Sequence, residues 1–375
     1  MTLPLDVEKA ILEILAFHDL EWHTAKIHKK RLSQIRRQLR TLSNDFAQSI
    51  PSEEKYAEAY LAYNVPRNFM EAMIIGREVA AFTPHIRNKE TINILDIGCG
   101  EGAGMLGLYY SLLNSHNFSF TGIDTSARLL RECRKLTELV LKKSDVRVSL
   151  RKHDVSDGLL PTKQKFDIVI LSHSLAEMYP GSIPIRFIHR LFRKVTENGL
   201  VIIIEPALKQ LSRRLADLRN SIITDRKLSV HLPCPHHQEC PLYSIRKQKE
   251  WCHQSIRWQP PDFMKIINQG LNREISTLKF SYLVISRNDF SIPRDHQYLV
   301  ISNLLKEKGK QKCFLCTRTG RLQLVRLNKN GTECNKVFGR IRKGDMISVE
   351  NLVEKRGYWH VAPDTKIRIH HSKHF

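Results

Sequence analysis

The residues best placed to do chemistry begin with a glycine run. Residues 94–104 read ILDIGCGEGAG, and a second apolar run, FTGIDTS, ends its strand at Asp124. A strand entering an acidic, glycine-rich turn, with an acid closing the next strand, holds an adenosine-bearing cofactor in a doubly wound sheet. Gly98-x-Gly100-x-x-Ala103 also satisfies the dinucleotide pattern, so glycine spacing alone does not choose the cofactor. Asp96 does. A pyrophosphate sits badly beside a carboxylate, whereas the sulfonium and ammonium of S-adenosylmethionine are stabilised by one. The residues expected against that cofactor are Asp96, Gly98, Gly100, Gly102, Asp124, Thr125, Asp154 and Ser172. Asp124 would take the ribose hydroxyls, and Asp154 either meets the adenine edge or caps a turn.

The methyl acceptor is harder to read. The fourth strand ends VILSHSLAEM (169–178), without the Asp/Asn-Pro-Pro-aromatic turn that holds an exocyclic amine. A carbon-5 pyrimidine enzyme needs a nucleophilic cysteine, and Cys99 and Cys133 stand where packing residues are expected. His173 is either a base for an oxygen acceptor or a polar cap on the strand. No catalytic residue is assigned.

A second chemical signal lies in CPHHQECPLYSIRKQKEWCH (234–253). Cys234, Cys240 and Cys252, flanked by His236, His237 and His253, read as metal ligands rather than disulfide partners. Cys316 is the preferred fourth ligand, with Cys313 and Cys334 as the other candidates. The spacing is not that of paired C-x2-C knuckles, so the residues alone leave zinc and iron–sulfur both open.

These residues need a scaffold. Apolar, mostly β-branched runs at Asn93–Ile97, Ser119–Ile123, Val146–Leu150, Phe166–Leu171 and Leu200–Ile204 alternate with helical stretches such as Ala127–Lys142 and Pro184–Thr196. That is βαβ order, a parallel sheet with crossovers. The expected fold is α/β: a Rossmann-like class I methyltransferase sheet with a helical N-terminal region, a cysteine-rich metal-binding insert and a small β-rich C-terminal module. The expected boundaries are 1–90 for the basic helical region and 91–206 for the core, completed by 275–300. The insert takes 207–274 and the C-terminal module 301–375. Ile27, Leu32, Ile35, Leu39 and Leu42 mark one basic amphipathic helix, and a second near 53–82 is expected to break before Pro66.

The net charge of +22 points to a polyanionic partner. Residues 22–43 carry seven Lys/Arg and no acid, and residues 286–343 carry fourteen against four acids. No run reaches the roughly 18 apolar residues of a membrane span. The N-terminus has no signal or transit pattern, so reduced thiols and a bacterial cytoplasmic location are expected, with the protein a monomer off the membrane.

The set ILDIGCGEGAG, SHSLAEM, EPA, CPHHQECPL, WCH, FSYLVISR and CTRTG resembles the methyltransferase-like assembly factors of the mitochondrial small ribosomal subunit and their bacterial relatives. The resemblance runs from about residue 55 to the C-terminus. It implies an S-adenosylmethionine pocket, binding to rRNA of the immature small subunit, and a four-iron–four-sulfur (4Fe-4S) cluster on Cys234, Cys240, Cys252 and Cys316. It also implies an assembly factor without robust methyl transfer. The rival is an active rRNA methyltransferase; a small-molecule methyltransferase would explain neither the charge nor the cysteines. The basic N-terminal helix and the long Cys240–Cys252 spacing depart from the family pattern.

Overall fold

The computed structural model describes residues 1–17, 26–48, 56–112, 117–142, 144–155, 160, 162–243, 251–288, 297–355 and 357–371. Residues 244–250, within the Cys240–Cys252 spacing, and the side chains of Lys26 and Ile27 lie outside that set. The chain packs as two compact units. The first comprises residues 1–181, 186–204 and 257–278; the second comprises 182–185, 205–256 and 279–375.

The first unit carries strands β1 (Thr91–Ile97), β2 (Asn117–Asp124), β3 (Arg147–Lys152), β4 (Phe166–Ser172) and β5 (Val195–Pro206). Their order is β3-β2-β1-β4-β5, every pair parallel. The sheet reverses its winding between β1 and β4, and Asp96 pairs in register with Gly122 on one side and Ile170 on the other. Ligands of such sheets bind beyond the carboxyl ends of the strands at that switch point. Crossover helices at Ala127–Val140 and Ile185–Phe192 fall within the expected stretches, and a third, Ala103–Leu112, follows β1.

Two N-terminal features differ from expectation. Pro66 does not break its helix. A wide π turn, Tyr60–Asn64, leads directly into Val65–Phe82, and the Val65 N–H bonds back to the Tyr60 carbonyl. The five-residue turn places the proline, which has no N–H, in the first turn of the following segment, where no donor is needed. The second difference concerns the basic helix, Lys26–Gln48, whose Leu32, Ile35, Leu39 and Leu42 are buried as the periodicity requires. Arg36 is not a free cation. Its guanidinium donates to the carbonyls of Ile266 (2.6 Å) and Ile267 (3.1 Å), and Arg40 donates to that of Gly270 (3.1 Å). These carbonyls lie at and just past the end of the helix Asp262–Asn268, where Ile266 also accepts the Gln269 N–H. Arg31 pairs with Glu58 at 3.0 Å, which leaves Lys29, Lys30 and Arg37 exposed.

In the second unit the helix Lys209–Asp225 precedes β6 (Ser229–Leu232), β7 (Gln254–Arg257) and β8 (Thr277–Ser286). β8 pairs antiparallel with β6 and also pairs with β7. The β-rich module then begins at β9 (Gln297–Val300) and continues through β10 (Leu305–Glu307), β11 (Lys310–Thr317), β12 (Gly320–Leu327), β13 (Met346–Lys355) and β14 (Tyr358–His371). β9 pairs with both β11 and β13, which closes a five-stranded barrel in the order β9-β11-β12-β14-β13. β12 and β14 are parallel, every other pair is antiparallel, and a helical turn (Glu333–Arg340) separates β12 from β13. This is the topology of the OB-fold. Its core is Val300, Leu315, Leu324, Phe338, Ile347 and Val361 with their neighbours.

Candidate functional site

The glycine turn is built by necessity at each position. Gly98, Gly100 and Gly102 all have positive φ (68°, 49° and 89°), a region that side chains rarely enter. A Cβ on Gly98 would lie 2.3 Å from the Ser174 Cβ, and one on Gly104 would lie 2.8 Å from Asp96 Oδ2. The backbone is therefore pressed against the ends of β1 and β4. Asp124 organises this turn: Oδ2 accepts the Gly100 N–H at 2.9 Å and Oδ1 accepts the Ser126 N–H at 2.8 Å. Ser126 in turn caps the helix Ala127–Val140 by accepting the Leu129 N–H.

Asp96 is 1% exposed. Its Oδ2 accepts the Met105 N–H at 3.0 Å, while Oδ1 is buried without a donor among the described residues. Glu101 Oε1 and Ser172 Oγ are in the same position. Burial pushes the Asp96 carboxyl up to about 7, with the Asp124 charge adding to the rise and the Met105 hydrogen bond opposing it. Burial lifts Glu101 further, to about 8. Two buried acids with unfilled acceptor atoms suit a cationic ligand, so the residues present fit S-adenosylmethionine. His153 donates its N–H to the Asp124 carbonyl, which puts the neighbouring, exposed Asp154 at the same sheet edge. Thr125 is exposed.

At the acceptor end, His173 has φ 61° and its Nε2 lies 2.8 Å from Glu71 Oε2, while Ser174 Oγ donates to the Ile97 carbonyl at 2.7 Å. Glu71, on the helix Val65–Phe82, is 2% exposed and gave no sequence signal beyond its place in an apolar helix. Cys99 and Cys133 are buried as packing residues, their thiols close enough for a hydrogen bond.

In the second unit Cys234, Cys240 and Cys252 line one small cavity. The Cys316 thiol is raised by burial and then by the charges of Cys234, Cys252 and Cys240, so all four are neighbours. Cys313 points into the barrel core and Cys334 is exposed. No group of three or more His, Cys, Asp or Glu among the described residues is placed to hold a metal ion. A single zinc needs its donors about 2.3 Å from one point. Four neighbouring thiols, with His236 Nε2 3.4 Å from the Cys316 sulfur and no carboxylate among them, have donor chemistry that suits zinc and an iron–sulfur cluster alike. The Arg219 charge opposes the rise at Cys316 and Cys240. Arg219, 1% exposed, donates to the carbonyls of Gln238 and His236 (2.7 Å) and to Asn220 Oδ1 (2.9 Å). Asn220 Oδ1 also accepts the Cys240 N–H at 3.0 Å, so Arg219 and Asn220 together fix the loop. Lys343 Nζ lies 2.8 Å from His253 Nε2, and burial with the Lys343 charge pulls His253 down to about 4. The only sequence signal for Arg219 was its place in a basic helix.

Strand order and the acid–glycine turn define a Rossmann-like methyltransferase fold with an S-adenosylmethionine-type site. The chain matches the family described as "Mitochondrial small ribosomal subunit Rsm22" over residues 54–348, and it belongs to that family. Among curated proteins it is similar to "Probable methyltransferase ltbC" of Aspergillus luteorubrus, 27% identical over 126 residues. That match takes in 33% of this chain and 42% of the relative, so the chain spans about two fifths of that protein's length. Among solved structures it is similar to the plantazolicin methyltransferase BpumL in complex with SAH. The identity is 13%, covering 69% of this chain and 99% of that one, with TM-score 0.38. An S-adenosyl-L-homocysteine complex of a SAM-dependent methyltransferase from Geobacter sulfurreducens is 14% identical, covering 56% of this chain and 90% of that one, with TM-score 0.34.

Proposed function

We propose that this protein is an assembly factor that binds rRNA of the immature small ribosomal subunit, built on a methyltransferase scaffold and not dependent on robust methyl transfer. Family membership supports the ribosomal setting, and the net charge of +22 supports an RNA partner. The observation that carries the reading is the acceptor end of β4. The Ser174 hydroxyl is spent on the Ile97 carbonyl, and the turn presents no amine-holding motif and no nucleophilic thiol.

S-adenosylmethionine would sit against Asp96, the glycine turn, Asp124, Thr125, Asp154 and Ser172, where it supplies a transferable methyl group and a positive charge. Asp96 would hold that charge, and Asp124 keeps the turn closed beneath it. Cys234, Cys240, Cys252 and Cys316 would hold a 4Fe-4S cluster that ties the barrel to the cysteine loop, with Arg219 and Lys343 offsetting its charge. A second reading, an active rRNA methyltransferase, is favoured by the Glu71-held imidazole of His173 in the place of a general base. One experiment separates the two. Immature small subunits from cells lacking the protein are mixed with purified protein and methyl-labelled S-adenosylmethionine, then pelleted. Bound protein without label in the RNA supports the assembly factor; label in the RNA makes it a methyltransferase.

A further inference from the structure

The barrel carries an open groove of about 620 Å³ on the face formed by β11 and β12. Phe314 on β11 stands in register with Gln323 on β12, with both side chains on the outer face beside the buried Leu315 and Leu324. The Arg321 guanidinium lies over the Phe314 ring, 3.8 Å from its centre. Tyr358, at the start of β14 and 46% exposed, borders the same groove from the β13–β14 turn, and Arg318 borders it from the β11–β12 turn. That second turn is held by the Thr317 hydroxyl, which donates to the Gly320 carbonyl at 2.8 Å. Among the described residues, chain neighbours aside, no atom lies within 4 Å of where a Cβ on Gly320 or Gly357 would project, so both turns leave the groove open beside them. Glu239 is the acid of the lining, set against the two arginines.

We infer that this groove binds an unpaired nucleotide of single-stranded RNA, its base stacked on Tyr358 and the Arg321–Phe314 platform and its phosphate met by Arg318. The inference rests on the rRNA-binding reading above and names the surface and the RNA state. Flat faces of an aromatic ring and a guanidinium suit a nucleobase freed from its helix, and are of no use to a duplex whose bases are stacked inside. Gln323 supplies a donor and an acceptor for a base edge. The face between the second and third barrel strands, with the loop before the fifth, is where barrels of this topology accept oligonucleotides. An apolar peptide would make no use of the charge of Arg318 and Arg321, and an acidic peptide would make no use of the stacking faces.

The test uses the full chain and fluorescence anisotropy with two labelled probes, a single-stranded uridine 12-mer and a blunt RNA duplex. The wild type is expected to bind the 12-mer more tightly. Tyr358→Ala should weaken that binding roughly 5- to 100-fold, as the loss of one stacked base does, and Tyr358→Phe should restore it. R318Q/R321Q should lower the salt dependence by about one to two released ions. Duplex affinity should stay unchanged in every variant. If Tyr358→Ala binds the 12-mer as the wild type does, or the wild type ignores the 12-mer while binding small-subunit rRNA, the groove assignment is overturned and the rRNA reading stands. If the wild type binds neither the 12-mer nor small-subunit rRNA, the rRNA reading itself falls.

Discussion

The state of Asp96 gives a prediction that can be worked through in numbers. Its carboxyl is raised from 3.8 to about 7 by burial. A cationic cofactor binds the carboxylate form, so binding must drive off the proton wherever the free protein holds it. With a pKa near 7, about 90% of the group is ionised at pH 8 and about 10% at pH 6, so affinity should fall roughly 10-fold over that range. Titration calorimetry in buffers of different ionisation enthalpy should show close to one proton released per cofactor at pH 6 and few at pH 8. The same shift acts on folding. The raised pKa favours the folded state fully below about pH 4, and that contribution is lost as pH rises through 7. The loss amounts to about 4 kcal/mol for a shift of some three units. The cofactor-free protein should therefore melt at a lower temperature at pH 8 than at pH 5. Asp96→Asn should raise the pH 8 melting temperature and flatten the affinity profile. Affinity that stays constant from pH 6 to 8 with no proton release would refute the placement of the cation beside Asp96.

Four further outcomes follow from the glycine turn, the cysteine site and the basic helix. Gly98→Ala should abolish cofactor binding in equilibrium dialysis, because its Cβ meets Ser174 at 2.3 Å on a backbone with φ 68°; retained binding would mean that the turn is free to shift. Cys252→Ser and Arg219→Met should each strip iron and sulfide from protein purified without oxygen, whereas Cys334→Ser, on an exposed thiol, should leave both unchanged. On the basic helix, K29E/K30E/R37E should weaken rRNA binding and reduce its salt slope by about two to three in anisotropy titrations. Arg36→Met should instead destabilise folding by roughly 1–3 kcal/mol in urea, since it removes two charge-assisted hydrogen bonds to the Ile266 and Ile267 carbonyls.

Four of the parallel strands were legible because each holds a buried apolar run, and β3, Arg147–Lys152, because its Val148 and Leu150 alternate with exposed polar residues; the observed ends differ from the expected ones by a few residues at most sites. The acid–glycine turn was legible because glycine at positive φ and an acid at a strand end are requirements of local geometry. What sequence reading missed depends on partners distant in the chain. Arg36 and Arg40 read as free cations, yet each spends its guanidinium on carbonyls some 230 residues away. Glu71 lies 102 residues from His173, and nothing local marks the pair. The barrel emerged only as a β-rich module, because its closure rests on β9 pairing with β11 and β13 and on the parallel β12–β14 pair. None of these contacts leaves a short-range pattern. The helix around Pro66 was misread for the opposite reason: a strong local signal was overridden by a π turn.

The central claim is that the protein serves assembly of the small subunit through RNA binding. Its most direct test is the sedimentation profile of ribosomal particles from cells in which the protein is depleted. The account predicts immature small subunits accumulating beside free large subunits, with recovery on return of the wild-type chain. A normal profile after full depletion would contradict it.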